Sequence, residues 1–119
     1  MEIGAYMEQI GRQAKATVAT IGRLSSTAKN NLLQQMAELL LTHQAELIAA
    51  NRIDVEKGIA KGLSKALIDR LTLNPERIAG MAEGLRTLVG LEDPIGNTVK
   101  MWQRPNGLEI GQQRVPLGV

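Results

Sequence analysis

Apolar residues recur at intervals of three and four through roughly the first ninety positions and at alternate positions afterwards, so helical character gives way to extended character near residue 93. Ile3, Met7, Ile10, Ala14, Val18 and Ile21 form one stripe and predict a first helix. Glu8 and Arg12 lie one turn apart on its polar side, in the order that favours an ion pair. Gly22 and the pair Ser25-Ser26 interrupt the pattern, with Ser26 the predicted N-cap of the next helix. From Thr27 to about His43, the positions Leu32, Leu33, Met36, Leu39 and Leu40 predict a second amphipathic helix. Ala45 to Ala50 reads as a short third helix, because Asn51 and Asp54 are both cap-type residues and place a helical boundary near themselves. The segment beyond them should end where Gly62 can adopt a left-handed conformation. Ser64 can cap a two-turn helix through Leu71. Asn74-Pro75-Glu76 then satisfies three separate rules for a helix start, and Ile78, Met81, Leu85, Leu88 and Val89 carry that helix to Gly90.

Asp93-Pro94-Ile95-Gly96 is a turn signature. After it, Val99 and Met101 alternate with Lys100, Trp102 and Arg104, the period of a strand. Pro105-Asn106-Gly107 predicts a hairpin loop, with Asn-Gly supplying the positive φ values of a tight turn. Leu108 and Ile110 fall on even positions but Val115, Leu117 and Val119 on odd ones, a phase change that calls for a bulge or bend, expected at Gly111. Pro116 cannot donate to a central ladder, so the hairpin is expected to end there. The last six residues, Arg114-Val-Pro-Leu-Gly-Val, read as a buried strand just beginning, and the chain is expected to be the front part of a longer protein. A two-stranded ribbon alone is marginal in water, so this hairpin is expected to rest on a surface outside itself.

Composition narrows the function. The chain has 119 residues, 44% hydrophobic, with no Phe, one Trp, one Tyr and five Met, which implies one domain or part of one, with an aliphatic core suited to helix packing. The net charge of +2 comes from 14 basic and 12 acidic residues with no basic run, which argues against nucleic acid as a partner. The absence of Cys removes disulfides, thiolate nucleophiles and thiolate metal sites within these residues. No signal-peptide pattern opens the sequence and no apolar run approaches a membrane span, so a cytoplasmic protein without membrane contact is expected.

Candidate chemistry is sparse. His43, the single imidazole, follows Leu40-Leu41-Thr42 and fits a helix C-terminus, where a cationic ring meets the negative end of the dipole. Gly58-x-x-x-Gly62 and Gly80-x-x-x-Gly84 follow no strand, so they suit a helix end or a close helix contact and not a phosphate loop. Glu76 and Glu83 fit a solvated helix face, and Asp69-Arg70 a local ion pair or a capping contact. Trp102 is the natural anchor of a docking ribbon. Nothing here can carry a reaction: no catalytic, cofactor-binding or metal-binding residue is assigned. The one candidate site is an oligomer interface made of Val99, Met101, Trp102, Leu108 and Ile110.

Five phrases in order then point to a family. They are Ala50-Asn51-x-x-Asp54, Gly62-Leu63-Ser64, Asp69-Arg70-Leu71-x-Leu73-x-Pro75-x-Arg77-Ile78, Asp93-Pro94-Ile95-Gly96 and Arg114-Val115-Pro116-Leu117-Gly118-Val119. Together they resemble the N-terminal region of the γ-glutamyl phosphate reductases, also called glutamate-5-semialdehyde dehydrogenases, a branch of the aldehyde dehydrogenase superfamily. The resemblance implies an α/β enzyme of proline biosynthesis. Such an enzyme reduces L-glutamyl 5-phosphate with NADPH to glutamate 5-semialdehyde and phosphate, through a cysteine thioester that lies outside this chain. It further implies a homo-oligomer. The expected architecture is mostly α with a C-terminal β-hairpin: residues 1–97 a helical part of the nucleotide-binding domain, 98–115 a hairpin arm for oligomerisation, and 116–119 the start of the first nucleotide-binding strand. The segment itself is expected to be scaffold, inactive alone. Two other readings stay open: a free-standing helical interaction module, and another aldehyde dehydrogenase branch.

Overall fold

A computed structural model describes residues 2–118, so Val119, the last residue of the expected strand, lies outside the described residues. Five helices precede a two-stranded antiparallel hairpin, which bears out the mostly α reading. The elements are α1 (Ile3–Gly22), α2 (Ser26–Thr42), α3 (Gln44–Ala60), α4 (Lys65–Leu71), α5 (Pro75–Val89), β1 (Thr98–Gln103) and β2 (Glu109–Gln113). They fall into two compact units, residues 27–91 in one and residues 1–26 with 92–119 in the other.

In the helical unit α3 packs on α4 and α5. Ile78 and Ala82 of α5 and Ala37 of α2 are fully buried. Gly58 of α3 is buried as well, because a methyl group there would meet Ile68 Cδ1 and Leu63 Cδ1 at 3.1 Å. Its missing side chain is what lets α4 come close, so of the four paired glycines it is the one that makes the close helix contact.

The end of α3 follows the glycine rule. Gly62 has φ +77°, its N–H donates to Ile59 O, and the Leu63 N–H reaches back to Gly58 O at 3.1 Å. This pair of bonds is a Schellman motif, and Leu63 supplies its hydrophobic contact. Ser64 accepts from Leu67 N at 3.3 Å to start α4, and Asn74 accepts from Arg77 N at 2.8 Å to start α5, with Pro75 in the first turn. Both caps are as the sequence predicts.

Two helix expectations are corrected. No boundary occurs near Asn51 or Asp54, since α3 runs unbroken from Gln44 to Ala60. The physical reason is that Asn51 directs its amide outward: Nδ2 donates to Leu71 O at 2.9 Å and Oδ1 accepts from Leu73 N at 2.8 Å. It caps a loop twenty residues away and leaves its own helix intact. Ser26 is the first residue inside α2 and not the residue before it, and its hydroxyl donates to Asp93 Oδ2 at 3.0 Å.

In the other unit, α1 leaves Ile3, Met7, Ile10 and Ile21 exposed. After the turn, where Ile95 N donates to Asp93 Oδ1 and Gly96 has φ +87°, the hairpin pairs Met101 with Gly111, Trp102 with Ile110 and Gln103 with Glu109. The register shifts between Thr98 and Lys100, so the extra residue is Val99 on β1, and Gly111 pairs regularly. Gly111 faces the Met101 side chain, whose Cγ lies 3.7 Å from where a Cβ would stand, so its small size serves the cross-strand fit and not a bend. The tip differs in detail too. Gly107 alone has positive φ, at +89°, while Asn106 does not. Pro105 fixes φ near −65° and so favours a type I turn from Arg104, closed by Gly107 N to Arg104 O at 2.9 Å. Beyond Gln113, residues 114–118 are in no strand, and Val115 and Leu117 are exposed.

Candidate functional site

Three places gather chemically distinctive residues: the joint between α4 and α5, an apolar groove in the helical unit, and the hairpin.

The joint consists of a short loop, Thr72-Leu73-Asn74, whose backbone polar groups are half-buried and must be satisfied. Asn51 takes Leu71 O and Leu73 N. Arg77 takes Thr72 O at 2.6 Å and Asp69 O through Nη1, while its Nη2 meets Asp69 Oδ1 at 2.9 Å. The Thr72 hydroxyl donates to Ile68 O at 2.7 Å. Side chains from α3, α4, α5 and the loop itself thereby meet at the junction of two helices. Asp69 pairs with Arg77, eight residues away, and not with the adjacent Arg70. Sequence periodicity alone missed Arg77 and Asn51 as a clamp, because the clamp spans 20 and 22 residues; Asp69, Arg77 and Ile78 do share one of the five family-like phrases, which here is a folding device.

The groove is open, has a volume of about 680 Å³, and is lined by Met36, Leu39, Leu40 and Leu47 on one side and Met81, Gly84 and Leu85 of α5 on the other. His43 sits at its edge, at the last turn of α2 and the N-cap of α3 together, with Nδ1 3.3 Å from Glu46 Oε2. The ring therefore meets a carboxylate on the following turn, at the point where α2 ends and α3 begins. With no nucleophile beside it, this geometry is structural. Gly84 opens the groove by having no side chain to fill it.

On the hairpin the five candidate interface residues are all exposed: Val99, Met101 (63%), Trp102 (38%), Leu108 and Ile110. Pairing places Trp102 and Ile110 opposite each other on one face and Met101 on the other, next to Gly111. Lys100 Nζ stands 5.4 Å from the Trp102 ring centroid, a cation–π contact that partly occupies one side of the ring. Exposed apolar area on both faces of a narrow ribbon is the pattern of a docking element.

Among the described residues, no group of three His, Cys, Asp or Glu could hold a metal ion, and no helix is long and apolar enough to cross a membrane.

No family model matches the chain. Curated relatives do. It is 53% identical over 119 residues to the γ-glutamyl phosphate reductase of Halothermothrix orenii, covering 100% of this chain and 28% of the relative. It is 56% identical over 109 residues to that of Heliobacterium modesticaldum, covering 92% of this chain and 26% of the relative. The chain thus spans about a quarter of the length of the relatives it matches. Among solved structures, the γ-glutamyl phosphate reductase of Thermotoga maritima superposes with a TM-score of 0.82 at 36% identity, over 88% of this chain and 25% of that one. The Saccharomyces cerevisiae reductase gives the same TM-score, 0.82, at 24% identity and 91% coverage, which speaks for the fold alone.

Proposed function

We propose that this chain is a scaffold segment of a γ-glutamyl phosphate reductase, the family whose sequences it matches from end to end. The whole enzyme reduces L-glutamyl 5-phosphate, with NADPH as hydride donor, to glutamate 5-semialdehyde and phosphate. The observation that carries this reading is the 53% identity across all 119 residues. Identity of that extent covers the helical joint and the hairpin together, and so exceeds what a shared fold alone requires.

These residues do not fit the nicotinamide cofactor themselves. The described strands form one antiparallel hairpin, with no parallel strand leading through a glycine-rich turn into a helix to receive a pyrophosphate. Nor does the chain contain a cysteine to form the acyl thioester. No step of the reaction is therefore assigned to this segment. Its role is positional: residues 1–97 supply helices that flank the nucleotide-binding domain, residues 98–115 an arm that joins subunits, and residues 116–119 lead toward that domain's first strand. Support for the arm comes from Val99, Met101, Trp102, Leu108 and Ile110, all exposed on a ribbon too narrow to bury them against each other.

The chain alone, assayed with L-glutamyl 5-phosphate and NADPH, is expected to show no turnover. NADPH oxidation that depends on both substrates and tracks the purified chain would overturn the proposal.

A further inference from the structure

The groove between α2 and α5 lies wholly within the helical unit, and Met36, Leu39 and Met81 on its walls remain half-exposed. No Asp, Glu, Lys or Arg is among the residues that line it, and His43 stands only at its edge. Along α5, Gly80 and Gly84 follow each other by one turn, and a methyl group at either would meet nothing within 4 Å. An apolar wall with its backbone laid bare at Gly84 favours an apolar element that approaches closely. We propose that this groove seats one amphipathic helix from the part of the reductase that this chain does not span.

Backbone chemistry selects a helix. A strand laid here would bring its N–H and C=O groups against apolar side chains, on helices whose own backbones are already bonded internally. A helix arrives with those groups satisfied and presents a stripe of side chains at intervals of three and four. Size selects the source. Eight residues line the groove, whereas a stable interface between separate molecules takes about 20–30 residues a side. A second copy of this chain would gain too little here to offset its lost freedom of movement. A segment of the same polypeptide is held nearby at an effective concentration on the order of millimolar, so a small contact suffices. The reductase reading, on which this inference rests, supplies that polypeptide, since the chain covers only 28% of the Halothermothrix orenii relative.

The intact protein that carries these residues provides the test. With hydrogen peroxide as oxidant, the Met36 and Met81 thioethers are expected to form sulfoxide at least about tenfold more slowly in the folded protein than in urea, read peptide by peptide by mass spectrometry. p-Benzoyl-phenylalanine in place of His43, at the rim of the groove, is expected on irradiation to form a link within one subunit to a helix outside these 119 residues. Oxidation of Met36 and Met81 at the rate seen in urea would overturn the proposal. So would a link that joins two subunits, lands on a segment without helical structure, stays within residues 1–119 or fails to form. NADPH oxidation with L-glutamyl 5-phosphate, measured on the unsubstituted protein, reports separately on the reductase reading. Absent turnover with the expected link would strike that reading and leave the helix in its groove.

Discussion

The α4–α5 joint and the β1–β2 hairpin use similar local devices, a cap or a turn with one well-placed glycine, yet they end in opposite states. At the joint the local caps are joined by side chains that reach in from a distance. Asn51 and Arg77 reach the loop from helices on either side, and Ile78 is fully buried beneath it. At the hairpin the local signals are satisfied only locally, by Pro105, Gly107 and the cross-strand pairs, and each residue of both strands remains exposed. The lesson is that a short element is held where long-range side chains meet its backbone, and keeps its side chains exposed where they do not.

Breaking the joint should cost the most. Ile78→Ala empties the one large side chain that is fully buried among the described residues and is expected to destabilise the chain by about 2–5 kcal/mol in urea denaturation, whereas a loss below about 1 kcal/mol would mean the joint is not the core. Asn51→Ala leaves Leu71 O and Leu73 N without their partner in a half-buried loop, and about 2 kcal/mol is expected by the same measurement. At the hairpin the effects shrink. Gly107→Ala forces φ +89° on a residue with a Cβ, for about 1 kcal/mol, seen as loss of hairpin chemical-shift dispersion ahead of any change in the helices. Smallest of all for stability is Trp102→Ala, expected within about 0.5 kcal/mol because the ring is not in a core. Its effect should instead appear in subunit association of the intact reductase, read by sedimentation velocity; an unchanged oligomer would remove Trp102 from the proposed interface.

The same contrast explains what the sequence made legible. Caps and terminators are local physics, so Ser64, Asn74-Pro75, Gly62 and Gly90 stand where their residue types place them. Asn51 defeats local reasoning because the rule that makes Asn a helix boundary assumes its amide serves its own backbone, and here it serves residues 71 and 73. The bulge defeats it in another way. Alternation shows that a phase change exists without showing which strand absorbs it, and the extra residue lies at Val99, opposite the strand that carries Gly111. The candidate interface set was visible as apolar residues on a ribbon, yet its division between two faces, Trp102 with Ile110 against Met101, follows only from the register.

Hydrogen exchange of the chain by itself tests most directly that the helical joint holds together unaided while the hairpin does not. The slowest amides should lie in α3 and α5 around Gly58 and Ile78, and the β1–β2 amides should exchange within about tenfold of the unfolded chain. Hairpin amides as slow as those of α5 in the isolated chain would contradict the account.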